Sequence, residues 1–365
     1  MYRILISGYY GFGNTGDEAI LLSILQTLKN HIRDVELVVL SAKPKETEAI
    51  YNVKSIYRFN FTNIIRQILK SDMVISGGGS LLQDITSFRT IPYYLSIIYL
   101  AKRFGKKAVL YSNGIGPVNY SFNKYLIKKV LNEVDLITLR DHASKKELEN
   151  LGVTKPPIYV TADSVFALTP VLDDKRIDEI LLKEGINLKK PLIGISLRRW
   201  RNDETFFKEI AGALDYIKQK YDVELIFIPM QREEDLKAGE KLQNYLNGSI
   251  SVIINRYSVL EWLGIINRMK LLIGMRLHSL IFAALNKVPM IGIIYDPKVE
   301  SFLNIVGQPS GGQVSNLRKD KLINLIEKAL LEEEKVDNHV IVELREKALA
   351  NIKYLLNIIN QDKRR

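Results

Sequence analysis

Gly274-Met-Arg276-Leu-His278-Ser279 sets an arginine and a histidine two residues apart where an apolar strand gives way to an apolar helix. Positive side chains oppose the dipole at a helix N-terminus. The pair therefore asks for an anionic ligand, on which helix amides, guanidinium and imidazole can converge. Twenty residues after His278, Tyr295-Asp296-Pro297-Lys298 ends the next strand and opens another helix, with proline at a favoured early position. If the two strands are neighbours, Lys298 reaches the same sheet edge. Arg140, in Thr138-Leu-Arg140-Asp141, ends an earlier strand and is a third candidate for that anion, and Arg198 and Arg199 follow the run GISL as further ones. Imidazole titrates near neutrality, so His278 is also the natural general acid.

Carboxylates gather elsewhere. Gly11-Phe-Gly13-Asn-Thr-Gly16 follows a strand and precedes a helix, the context of a dinucleotide-binding turn. Two features count against a dinucleotide. The second strand ends at Ser41 rather than in an acidic residue for the ribose, and Asp17 and Glu18 occupy the helix start where a pyrophosphate would lie. A carboxylate there can instead accept a hydrogen bond from a sugar hydroxyl and remove its proton. Glu18 serves equally well as a helix-end charge. Ser76-Gly77-Gly78-Gly79-Ser80, ahead of Asp84, is a second glycine turn, through which backbone can approach a ligand closely. Asn14, Asp17, Glu18, Gly78, Gly79 and Asp84 form the set expected to receive a hydroxyl-bearing ligand. There is no cysteine and no H-x-x-x-H pair, so neither a metal nor a bound cofactor is expected.

The elements that must hold these groups are strands alternating with helices, the pattern of parallel sheets. The strand-like runs are YRILISG, VELVVLS, MVISGG, AVLYSNG, DLITLRD and PIYVTAD, then LIGISLR, VELIFIPM, SVIINR, KLLIGM and PMIGIIY. At 365 residues two domains are expected: residues 1–170, a charged linker over 171–190, residues 191–338, and a C-terminal helix over 339–365. The fold class is α/β, two doubly wound Rossmann-like domains facing across a cleft. The basic character sits on the first domain, where Arg58 to Lys129 holds eleven Lys/Arg against Asp72 and Asp84, 11 − 2 = +9 of the chain's +11. No nucleic-acid motif accompanies it. An anionic membrane or a pyrophosphate-linked substrate fits better, and Pro92–Lys107, with aromatic residues and cations Lys102, Arg103, Lys106 and Lys107, is the candidate membrane segment. With neither a signal peptide nor a spanning helix to be read, a cytoplasmic protein is expected, peripheral to the membrane at most.

The strings GYYGFGNTGDEAIL, SGGGSLLQD, SNGIGP, LRD, TADS and GMRLHSLIFAALNKVPMIGIIYDPKV together resemble the polysaccharide pyruvyl transferases, and most closely the bacterial CsaB type of secondary cell wall polymer synthesis. The resemblance runs from residue 8 to about 300. It implies a GT-B-like arrangement, phosphoenolpyruvate as co-substrate, and an acceptor sugar ketalised through two hydroxyls. In the CsaB type that sugar is an N-acetylmannosamine on a lipid-linked precursor. By matched motif, Arg140, His278 and Lys298 look like the donor-binding and essential cations, with Arg276 and Arg198 beside them. The rival reading is a sugar-nucleotide glycosyltransferase of the same architecture.

Overall fold

In the computed structural model each of those apolar runs is a strand, since continuous Val, Ile and Leu suit sheets covered on both faces. The structure describes all residues except 86, 171, 201–203, 333–334 and 364–365. Two units result, Met1–Leu168 with Glu343 onward, and Thr169–Val342.

Unit 1 runs β1 (Tyr2–Ser7), α1 (Thr15–His31), β2 (Val35–Ser41), α2 (Pro44–Tyr51), β3 (Lys54–Tyr57), α3 (Phe61–Lys70), β4 (Met73–Leu82), α4 (Thr90–Arg103), β5 (Lys107–Ile115), α5 (Ser121–Leu131), β6 (Leu136–Leu139), α6 (His142–Asn150) and β7 (Ile158–Val160). Its parallel sheet has the order β3-β2-β1-β4-β5-β6-β7. The chain leaves β1 toward one edge and returns to β4 for the other, so the topological switch point, where open α/β sheets bind ligands, lies between β1 and β4.

Unit 2 contains α7 (Asp174–Lys183), β8 (Leu192–Ser196), α8 (Thr205–Lys220), β9 (Glu224–Phe227), α9 (Arg232–Tyr245), β10 (Ser251–Val252), α10 (Val259–Asn267), β11 (Leu271–Gly274), α11 (Leu277–Leu285), β12 (Met290–Ile294), α12 (Pro297–Val306), β13 (Ser310–Gln313) and α13 (Lys319–Glu332). The order β10-β9-β8-β11-β12-β13 puts its switch point between β8 and β11.

Two expectations about boundaries change. Residues 171–190 hold α7 rather than only a linker: Ile177, Ile180 and Leu181 are buried, and Arg176 reaches Glu261 of α10 at 3.3 Å. The last helix, α14 (Asn338–Lys363), is not a separate appendage. From Glu343 it belongs to unit 1, where the buried amide of Asn351 accepts from Thr161 Oγ1 at 2.8 Å and Tyr354 stacks on Tyr159 at 3.8 Å. Arg364 and Arg365 lie outside the described residues.

Candidate functional site

At the unit 1 switch point the turn after β1 is bound to the end of β4. The buried Tyr10 hydroxyl donates to the Gly77 carbonyl at 2.8 Å. The glycines of β4 are there because α1 lies against them. Gly78 has φ +54°, and a Cβ on it would stand 2.3 Å from Ile20 Cγ2. Gly79 has φ +71°, and its Cβ would meet Asp17 Oδ1 at 3.0 Å. The glycine turn thus lets the half-buried Asp17 carboxylate rest over bare backbone, near Tyr10 and Tyr94.

The other residues expected on the acceptor side make hydrogen bonds within unit 1. Asn14 caps α1, its Oδ1 accepting from Gly16 N–H at 3.0 Å. Glu18 accepts from Gly11 N–H at 2.8 Å and from the Tyr51 hydroxyl at 2.6 Å, so both oxygens are engaged. Burial pushes its pKa up despite those donors. Asp84 is 3% exposed and receives four hydrogen bonds, from Asn119 N–H and Nδ2, Tyr120 N–H and Asn123 Nδ2, at 2.8 to 3.1 Å. Burial alone would raise its pKa, but these donors prevail and hold it below the ordinary carboxylate value. Its chemistry is that of a bracket joining the end of β4 to the start of α5. Both oxygens of Glu18 and both of Asp84 are thus engaged by polar groups of their own unit.

Arg140, at the carboxyl end of β6, is similarly embedded. Its side chain donates to Asp163 Oδ2 at 3.1 Å and to Ser80 Oγ at 2.9 Å, and Asp141 lies 3.6 Å from Nε. A guanidinium has five donor hydrogens, so these contacts aim the group without exhausting it. His142, which no motif marks, is exposed on the first turn of α6, two residues from Arg140. Arg58 is a second residue the sequence reading passed over. Only 5% exposed, its guanidinium sits 4.5 to 5.5 Å from the rings of Phe12, Phe59, Tyr93 and Tyr94 and donates to the Gly8 carbonyl at 3.4 Å. No local run marks it, since the rings of Tyr93 and Tyr94 that enclose it stand on α4.

In unit 2 the cations follow three adjacent strands: Arg198 after β8, Arg276 and His278 after β11, Lys298 after β12. Tyr295 gathers two of them. Arg198 Cζ lies 5.1 Å from its ring centroid and Lys298 Nζ 5.9 Å, with Lys298 also 3.1 Å from Asp296. Half-buried His278 stands on the first turn of α11, which follows β11, the strand between β8 and β12. Arg276 differs. It is the N-cap of α11 and its guanidinium is committed to the fully buried Asp235 of α9, through Nε at 3.1 and 3.2 Å and through a shorter contact from its terminal nitrogen. Asp235 also accepts from Gln231 N–H at 2.8 Å. Burial raises its pKa against the pull of Arg276 and Arg198. Arg276 is thus half of an ion pair whose acidic partner, within Gln231-Arg-Glu-Glu-Asp235, looks in sequence like any exposed acidic helix start.

The comparisons agree with this layout. The chain is similar over 98% of its length, and 100% of the other, to the UDP-GlcNAc 2-epimerase of Methanocaldococcus jannaschii, with a TM-score of 0.70 and 16% identity. It is similar over 97% and 93% to a glycosyltransferase from Rickettsia africae, with a TM-score of 0.60 and 15% identity. The fold is that of the GT-B glycosyltransferases and sugar-nucleotide epimerases. In sequence it is 22% identical to the amylovoran biosynthesis protein AmsJ of Erwinia amylovora, covering 93% of this chain and 94% of that one. Residues 14–297 match the polysaccharide pyruvyl transferase family model, a span that takes in α1 with Asp17, the glycine turn of β4, and Arg140, Arg198, His278 and the start of α12; the chain belongs to that family.

Proposed function

We propose that this chain moves the pyruvyl group of phosphoenolpyruvate onto a sugar of a lipid-linked cell wall polysaccharide precursor, in the manner of the CsaB type, with N-acetylmannosamine as the acceptor. The observation that carries the reading is the set Arg198, His278 and Lys298 on neighbouring strand ends at the unit 2 switch point, in a member of this family. Phosphoenolpyruvate carries a phosphate and a carboxylate, and it needs more than one cation. Arg198 and Lys298, spread across the Tyr295 ring, offer two separated charges, and the α11 amides a third anion-binding element. His278 is assigned to the donor with them, and Arg140, by its match to the family motif, is an essential cation.

The chemistry follows from the donor. A proton added to its methylene carbon makes a methyl group and leaves an oxocarbenium-like centre at the phosphate-bearing carbon. One sugar hydroxyl adds there and gives up its proton. The carbon–oxygen bond to phosphate then breaks, the second hydroxyl adds and loses its proton, and the products are a pyruvate ketal and inorganic phosphate. His278 is the acid of this sequence and Asp17 the base that takes a hydroxyl proton. An acceptor of this kind and a metabolite donor place the enzyme in the cytoplasm.

Incubation with phosphoenolpyruvate and a lipid-like N-acetylmannosaminide, read by mass spectrometry and phosphate release, tests the reading. A product heavier by a pyruvate ketal, with equimolar phosphate, is the expected result. Sugar transfer from a UDP-sugar with no phosphoenolpyruvate consumed would replace it with a glycosyltransferase.

A further inference from the structure

The segment Pro92–Lys107, marked by its sequence as a membrane contact, forms most of a core helix. Tyr94, Leu95, Ile98 and Ala101 of α4 are buried, and Lys102 and Lys107 both pair with Asp135, at 2.6 and 3.4 Å. The basic, apolar surface of unit 1 lies beside it. Helix α3 packs on α4 and α4 on α5, so the three form one layer. Their sequences, FTNIIRQILK, TIPYYLSIIYLAKR and SFNKYLIKKVL, contain no Asp or Glu. Other helices of the unit do: α1 has Asp17 and Glu18, α2 Glu46 and Glu48, α6 Glu147 and Glu149.

The outer face of α5 is the apolar centre of this layer. Phe122 and Tyr125 are 53% and 57% exposed, at i and i+3, with Lys124, Lys128 and Lys129 exposed around them. Phe88 and Tyr120, exposed in the preceding loops, extend the patch, Phe88 lying 5.9 Å from the Phe122 ring and 5.2 Å from the Tyr120 ring. A solvated helix face mixes both charge signs. Here the signs are one-sided and aromatic rings stand outside, which is the complement of an anionic lipid surface: rings sit at the headgroup level and each cation adds attraction. A protein partner would have to supply both the acids and the apolar cover, whereas a lipid bilayer supplies both at once.

We propose that the α3–α4–α5 face, centred on Phe122, Tyr125 and the lysines of α5, docks on anionic membrane. This inference does not rest on pyruvyl transfer, since vesicles hold neither donor nor acceptor. The full chain is sedimented with vesicles of phosphatidylglycerol and phosphatidylcholine, or of phosphatidylcholine alone, at low and high salt. Binding to the anionic vesicles at low salt and release at high salt is expected. Lys124→Glu/Lys128→Glu/Lys129→Glu should weaken it by more than about 100-fold. Phe122→Ser/Tyr125→Ser should weaken it while leaving the salt dependence. The same charge change at exposed Lys29, Lys45 and Lys347, on α1, α2 and α14 and so outside this layer, should leave most of the binding. Absent vesicle binding, a control variant as weak as the α5 variant, or a dimer in solution that the α5 variants dissociate would each overturn the proposal; unchanged circular dichroism shows that the variants are folded.

Discussion

Removing the Asp235 carboxylate isolates what a buried ion pair does for unit 2. Asp235 is 0% exposed and the Arg276 side chain 12%, so neither group has much access to water. Burial prevails over the attraction of Arg276 in setting the Asp235 pKa, which means that the intact pair is a poor net source of stability. The cost appears when one member is deleted. Asp235→Ala strands a guanidinium, and breaking a buried pair costs about 3–5 kcal/mol; the partial exposure of Arg276 favours the lower end. With a urea slope of about 2 kcal/mol/M, a loss of about 3 kcal/mol moves the midpoint down by about 1.5 M. Both tryptophans, Trp200 and Trp262, lie in unit 2, so their fluorescence follows that unit alone. Asp235→Ala/Arg276→Met removes both charges and should recover at least half of the loss. A midpoint shift below about 0.5 M for Asp235→Ala, or a double variant that sums the two single losses, would refute the reasoning.

His278→Ala and Arg140→Ala should each lower phosphate release at saturating phosphoenolpyruvate by about 10²–10³, while His142→Ala stays within about threefold; the reverse order would move the acid from α11 to α6. Lys298→Ala should raise KM for phosphoenolpyruvate with kcat little changed, and a fall in kcat alone would place Lys298 in the chemical step. Asp17→Asn should slow turnover without changing that KM, and wild-type turnover would leave Asp17 a helix-end charge. For Asp84 the folded pKa is lowered, so its stabilisation is present above the unfolded value of about 3.9 and lost as pH falls through the folded one. Asp84→Asn should therefore cost about 1–3 kcal/mol near neutrality and less near pH 2, followed by circular dichroism in urea; equal cost at both pH values would contradict it.

The strands were legible because buried parallel strands are written as apolar runs bounded by Gly, Ser, Asp or Arg. Two strands were not. β3, Lys-Ser-Ile-Tyr, and β13, Ser-Gly-Gly-Gln, are sheet-edge strands with little or no apolar run, defined by the backbone pairing of Val38 to Ser41 and of Gly292 to Ile294. α7 hid in a charged stretch because only a narrow stripe of it is apolar. Among candidate site residues, Arg276, His278 and Lys298 stand out in the sequence, since a cation at a helix start is against the dipole. Asp235 and Arg58 do not, because what distinguishes each is a partner far away in sequence: Arg276 forty-one residues on, and Tyr93 and Tyr94 on the next helix but one.

In the glycine turn of unit 1 the groups a dinucleotide would use are already engaged. In a dinucleotide site the amides of such a turn and of the following helix are left for a pyrophosphate. Here the Gly11 N–H is taken by Glu18 and the Gly16 N–H by Asn14. Glu18 is held in place by the Tyr51 hydroxyl, and Arg58 fastens the turn from below through the Gly8 carbonyl. The negative charge a ligand would bring is thus built into the chain, and a second carboxylate, Asp17, stands over the bare backbone of Gly79. A turn so occupied is the one the proposed function uses for a neutral, hydroxyl-bearing ligand, with Asp17 as the base. In the proposed function the anion goes instead to unit 2, where Arg198, His278 and Lys298 follow the neighbouring strands β8, β11 and β12.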